Sequence, residues 1–204
     1  ASFREFVSQV RNRELLEKHG IPAPTAEGFL YPETYYFPRN EDQGARIIVE
    51  KMLGQFRETT RESLWPKQRP EDDRLMRIVT LGSLVEKETS VPEEKPIVAG
   101  VFHNRLQRGM RLQCDPTVIY GLGQDFDGNL SKKDLRDPKN PYNTYRHYGL
   151  PPGPICSPGL ASLRAAKDPA DHEYFYFVAT QNGTHVFSRT LRQHNKAVRR
   201  HQLR

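Results

Sequence analysis

Apolar residues recur along most of this chain at intervals that fit helices, and alternate strand-fashion only near its end. The spacing of Phe3, Phe6, Val7 and Val10 predicts a helix over residues 1 to about 19. Gly20-Ile21-Pro22-Ala23-Pro24 stops it, since glycine and proline are the residues least compatible with helical continuation. The segment Glu27 to Pro38 carries Phe29, Tyr31, Tyr35, Tyr36 and Phe37 between prolines and reads as extended or looped. Ile47, Ile48, Met52, Leu53 and Phe56 predict a helix from Asp42 to about Ser63, followed by a polar connector from Trp65 to Asp73. Leu75, Ile78, Val79, Gly82 and Val85 carry a helix from Leu75 to Thr89. Another begins near Pro92, presents Ile97, Val98, Val101 and Phe102, and stops at Gly109.

Asp115-Pro116 reads as the N-cap and first position of a short helix through Val118 and Ile119. Residues 121 to 157 are rich in Gly, Pro, Asn and Asp, and a connection this long in a compact domain is usually functional or disordered. Its tyrosines and its φ-fixing prolines argue for an ordered binding loop. Ser157-Pro158 starts a helix to about Ala166. Alternation over Tyr174 to Thr180, the Asn182-Gly183 turn and Thr184 to Ser188 form a hairpin signal, and a basic helix from Thr190 to Arg200 closes the chain. The pattern predicts an α+β fold: a mixed helical domain with a small antiparallel β portion.

With 204 residues, 36% hydrophobic and 27% charged, the chain can bury a real core and form one domain over 1–204. Its 31 Lys and Arg against 25 Asp and Glu leave +6, which favours nucleic acid, anionic lipid or an anionic polymer, although the charge is not in one block and a solvated surface explains it equally well. Cys114 and Cys156 cannot make a disulfide-rich scaffold or a metal-type pair. No run of eighteen apolar residues and no signal-type start occurs, so this chain is expected neither to span a membrane nor to carry its own export signal. It opens within a helical pattern, which reads as an excised piece of a longer protein whose anchor lay upstream. Seven histidines show no HExxH spacing, and there is no glycine-rich phosphate loop or GxSxG, so no metal or cofactor is expected.

The chemistry concentrates where the apolar run Leu81, Leu84, Val85 ends in Glu86-Lys87-Glu88-Thr89. An acid at the end of such a helix loses solvation, its pKa rises, and it can hold a proton near neutrality, as a general acid must. Glu86 and Glu88 point roughly 200° apart on a helix, so at most one serves a given site. Each lies at an edge of the apolar arc, so periodicity does not choose, and either is by itself an ordinary surface ion-pair partner. Asp115 is explained as an N-cap. Gln113 can donate to and accept from sugar hydroxyl or acetamido groups, or simply be a polar strand residue. Pro141-Tyr142-Asn143-Thr144-Tyr145 and Gly149-Leu150-Pro151-Pro152-Gly153-Pro154-Ile155 set aromatic faces beside amides and hydroxyls on a stiff loop, which suits pyranose rings.

Five stretches resemble the MltG (YceG-like) family of endolytic murein transglycosylases: EGFLYPETYYF at 27 to 37, LGSLVEKET at 81 to 89, VFHNRLQRGMRLQCDPTVIYGLG at 101 to 123, PYNTYRHYGLPPGPICSPG at 141 to 159 and YFYFVATQNGTHVFSRTLRQHNKAV at 174 to 198. The resemblance covers most of the chain and implies the YceG-like catalytic domain, without the membrane anchor and LysM-like part of full-length members. In related lytic enzymes the catalytic Glu precedes a hydroxyl residue, as Glu88 precedes Thr89, so the resemblance assigns catalysis to Glu88 and a supporting role to Glu86. Gln113, Asn143 and Tyr145 are the candidates for orienting sugar. Cys114 stands where Thr or another small polar residue is expected, and Cys156 where cysteine is unusual. Because the family works outside the cytoplasm, where disulfides persist, a Cys114–Cys156 bridge is an open expectation that needs Cα atoms within about 7 Å.

The implied reaction cleaves the β-1,4 bond between N-acetylmuramic acid and N-acetylglucosamine to leave 1,6-anhydromuramyl ends, with one carboxyl acting as acid and then base. The implied partners are peptidoglycan glycan strands and peptidoglycan synthases, at the extracytoplasmic face of the inner membrane of a bacterium, with termination of nascent strands as the role. Two other classes are weighed: a non-catalytic peptidoglycan-binding module, and a basic nucleic-acid-binding protein drawn from Arg189, Arg192, Arg199 and Arg200, for which no nucleic-acid motif is present.

Overall fold

The computed structural model describes residues 2–37 and 44–202. Its helices are α1 (Phe3–Gln9), α2 (Arg13–Lys18), α3 (Ala45–Ser63), α4 (Asp72–Glu88), α5 (Lys95–Gln107), α6 (Asp115–Leu122), α7 (Lys132–Arg136), α8 (Leu160–Lys167) and α9 (Leu191–His201). A 3₁₀ turn, Gly123–Asp125, follows α6, and β1 (Tyr176–Ala179) and β2 (His185–Ser188) lie between α8 and α9. The α+β expectation holds. The strands pair antiparallel with Tyr176 opposite Ser188 and Ala179 opposite His185, as the Asn182-Gly183 turn predicts.

Helix α4 is the spine. Leu75, Val79, Leu84 and Val85 are almost wholly buried, and α4 packs on both α5 and α8. One hydrophobic cluster runs from Leu15 and Leu16 of α2 through Val49, Leu53 and Phe56 of α3 to Leu163 of α8. Burying side chains of this size contributes roughly 1.5–3 kcal/mol each, so the apolar faces that defined the helices also assemble them.

Local chemistry moves several predicted boundaries. The helix expected over 1 to 19 breaks in two, because Ala26 N–H takes the Val10 carbonyl at 2.7 Å and the Asn12 side chain caps Leu15 N–H at 3.2 Å. A carbonyl taken from outside and a new N-cap together end one helix and start the next. The start expected at Asp42 lies outside the described residues. Pro92 falls in a turn, and α5 begins at Lys95 with Pro96 in its first turn. Helix α8 begins after Gly159, two residues later than expected. Gln113 is not on a strand: it has φ +50°, a left-handed conformation that favours glycine.

The hairpin is docked by polar groups of α5. Asn104 Nδ2 donates to the carbonyls of His172 and Tyr174, at 2.7 and 3.0 Å, and Arg105 Nε donates to that of Phe175 at 2.7 Å. Gly100 lets this segment close: a Cβ there would lie 2.5 Å from the Ala170 carbonyl oxygen. The hairpin and α9 are thereby held opposite the end of α4.

Candidate active site

A cleft of about 520 Å³ opens where the end of α4, the Leu112–Asp115 segment, the hairpin and α9 converge. Glu88, Gln113 and Tyr145 all line it. Asn143 does not: it is fully buried, its Nδ2 donates to the carbonyls of Asp134, Leu135 and Asp137, and its Oδ1 accepts from Tyr145 N–H. The expectation that Asn143 touches sugar is corrected on this point. Its amide is spent folding the loop, and Tyr145 is the residue that loop presents.

Burial pushes the Glu88 carboxyl above the usual carboxylate range, and the charge of Asp115 adds to the rise, while the Cys114 thiol, His185 and Arg105 oppose it. The last turn of α4 also presents the negative end of the helix dipole, which disfavours an anion. Glu86 is held the other way. Its Oε2 accepts from Lys95 Nζ at 3.0 Å, Ser162 Oγ at 2.5 Å and Gly159 N–H at 3.3 Å. Burial alone would raise its pKa, but these partners hold it below the usual range.

Asp115 is the first residue of α6 rather than its N-cap, which is Cys114. Its carboxylate accepts the Tyr145 hydroxyl at 2.5 Å inside the cleft. Residues 113–117 and 144 are laced together: Gln113 N–H donates to the Thr144 carbonyl at 3.2 Å, Cys114 N–H to Thr144 Oγ1 at 3.0 Å, and the Thr117 and Thr144 hydroxyls lie 2.9 Å apart. This lacing holds Gln113 exposed and left-handed, a conformation costing about 1–3 kcal/mol that is characteristic of functional loops.

Thr89, behind Glu88, faces inward. Its hydroxyl donates to Glu94 Oε2 at 3.2 Å, and Glu94 in turn accepts from His185 N–H at 2.8 Å and lies 2.7 Å from His185 Nδ1. Among the described residues Nε2 is the ring nitrogen of His185 without a hydrogen-bond partner, and His185 lines the cleft. On the same wall Tyr176 has the Arg105 guanidinium 5.3 Å from its ring centroid and stacks on His194 at 5.4 Å.

Sequence reasoning missed Arg105, Tyr176, His185 and His194. The hairpin itself was legible, and the alternation within it was the signal that one of its faces would be presented. What that face opposes depends on docking through Asn104, Arg105 and Glu94. Of the 121–157 segment read as a binding loop, Tyr145 lines the cleft, while the hairpin and α9 supply most of the opposite wall. Cys114 is buried, Cys156 is half-buried, and both are free thiols, so the bridge left open by the sequence is not made. Among the described residues no group of three or more His, Cys, Asp or Glu is placed to hold a metal ion.

The cleft sets a carboxyl of raised pKa beside aromatic, amide and cationic groups. The model of the YceG-like family matches residues 1–200, and the chain belongs to that family. It is 39% identical over 171 residues to an endolytic murein transglycosylase of Bacillus subtilis, covering 84% of this chain and 46% of that protein. A Streptococcus pneumoniae protein of the same name is 29% identical over 179 residues, 86% of this chain and 32% of that protein. The crystal structure of a YceG-like protein from Listeria monocytogenes superposes with a TM-score of 0.81 at 33% identity, over 97% of this chain and 68% of that one. The chain therefore spans half or less of the length of the two named transglycosylases.

Proposed function

We propose that this chain is the catalytic domain of an endolytic peptidoglycan lytic transglycosylase, a lyase. The observation that carries the reading is Glu88: a carboxyl whose pKa burial raises, in a cleft that also holds Gln113, Asp115, Tyr145 and Tyr176. The names of the relatives support murein as the substrate. Protonated Glu88 donates its proton to the oxygen between N-acetylmuramic acid and N-acetylglucosamine as that bond breaks. The carboxylate then removes the proton of the muramyl C6 hydroxyl while its oxygen closes on C1, giving the 1,6-anhydro end and restoring the acid. Intramolecular attack supplies the proximity advantage. Gln113 and Tyr145 orient the sugars, and Tyr176 offers a ring face.

Such a cut would end nascent strands beside peptidoglycan synthases at the extracytoplasmic face of the inner membrane. None of the described helices is long and apolar enough to cross a membrane. The test is mass analysis of purified glycan strands after digestion. Anhydromuramyl ends are expected, and binding without cleavage would leave a non-catalytic module instead.

Asp115 motivates a second reading. It brings a further carboxylate into the cleft, and two carboxyl groups are the usual equipment of a hydrolase, one protonating the leaving group and the other serving water. Reducing ends, heavier than anhydro ends by one water, would establish that reading and displace the first.

A further inference from the structure

Arg105 is 7% exposed, and two of its guanidinium nitrogens are spent on main chain: Nε on the Phe175 carbonyl and Nη1 on that of Leu112, each at 2.7 Å. Among the described residues no carboxylate forms an ion pair with it, and Nη2 donates to no protein acceptor. Nη2 is also absent from the side-chain nitrogens sealed away without a partner, and Arg105 contributes to the wall of the Glu88 cleft. The remaining donor edge therefore reaches the cleft. A buried cation costs several kcal/mol unless something compensates it. Here the two carbonyls and the Tyr176 ring, 5.3 Å from the guanidinium, compensate it without neutralising its charge, and of the cleft carboxyls Glu88 has a raised pKa while Asp115 is engaged by Tyr145.

A guanidinium fixed by two main-chain carbonyls, with one edge turned into a sugar cleft, is built to receive a planar acyl oxygen. In a strand alternating N-acetylglucosamine and N-acetylmuramic acid, both rings carry an acetamido carbonyl, but only the muramyl ring carries the lactyl acyl group. We propose that Arg105 is the specificity-determining residue of this cleft, receiving an acyl oxygen of the muramyl lactyl arm at Nη2. The inference rests on the functional reading above.

The experiment measures binding and cleavage separately. Binding is read in the Glu88→Gln background with three oligosaccharides of equal length: muramyl-containing strands with free lactyl carboxylates, the same strands with the lactyl group capped as a methylamide, and a β-1,4 N-acetylglucosamine oligomer. The free lactyl strand is expected to bind at least about tenfold more tightly than the oligomer. The capped strand distinguishes the sources: affinity close to that of the free acid identifies the lactyl carbonyl, and affinity between the two identifies its charge. Arg105→Gln should abolish the preference and Arg105→Lys retain part of it, with melting curves confirming folded protein. Equal binding of all three by the unsubstituted Arg105 protein overturns the proposal without any need for the variants. So does a preference that survives unchanged in folded Arg105→Gln. If the Glu88 protein cleaves none of the three, the functional reading fails; if it cleaves muramyl strands but the binding preference is missing, only the role of Arg105 fails.

Discussion

The last turn of α4 holds two glutamates in opposite environments. Glu86 faces α5 and α8, where a cation, a hydroxyl and a main-chain N–H converge on one oxygen and keep it ionised. Glu88 faces the cleft, where burial and Asp115 outweigh the groups that favour ionisation. Two positions along one helix thus separate a carboxyl held as an anion from one biased toward its acid form. The same residue type does either job according to what its neighbours donate.

Removing the proton of Glu88 should give the largest effect. Glu88→Gln keeps size and hydrogen bonding, and formation of anhydro ends should fall by about 10²-fold to 10⁴-fold, the usual loss of a general acid. Quantifying anhydro ends by mass spectrometry checks this, and near-wild-type activity would invert the roles of the two glutamates.

Next comes stability at the other carboxylate. Glu86→Gln strips the charge that pairs with the nearly buried Lys95, and should destabilise by about 2 kcal/mol, less than a fully buried pair because Glu86 is itself partly exposed. Denaturant unfolding reads the loss, and the folded variant should retain cleavage. A dead but fully stable variant would erase the contrast.

The two residues should also carry opposite pH slopes. A carboxyl with a raised folded pKa contributes stability below its unfolded pKa and loses it as pH rises through the folded value, so Glu88→Gln should melt increasingly above wild type as pH climbs. A carboxyl with a lowered folded pKa contributes stability above its unfolded pKa and loses it as pH falls through the folded value. The cost of Glu86→Gln should therefore shrink in acid. Melting temperatures across a pH series measure both, and parallel slopes would show that the environments are not distinct. Cleavage should decline on the alkaline side as Glu88 ionises.

The smallest effect concerns thiols. Burial pushes Cys156 up to about 11 and raises Cys114 well above the usual thiol value, so neither should react quickly with a thiol reagent in the native protein. Denatured without reductant, the protein should show two free thiols per chain. Finding none would mean a bridge and a different packing of the two segments.

Much of the secondary structure was legible because it follows from local periodicity: the stripe of α4, the hairpin with its Asn-Gly turn, and the basic helix α9 after its Thr190 cap. That one acid at the end of a greasy helix would be desolvated was also legible. The break after Gln9 was not, because it depends on Ala26 taking a carbonyl sixteen positions back along the chain. Asn143 and Asp115 show the same limit. By residue type Asn143 suits sugar and Asp115 suits a cap, yet the first is consumed by three carbonyls and the second meets Tyr145 in the cleft.

By itself, then, the sequence determined which segments would be helical, which would pair as strands, and that a carboxyl would sit at the end of α4, because each depends on neighbours a few residues away. Only the tertiary structure decided which glutamate met a cation, which loop residues spent their polar atoms on main chain, and that Arg105 would be buried with one edge unspent. Those outcomes turn on which donors and acceptors from distant segments reach each other first, and a buried polar group takes its role from the partner it finds.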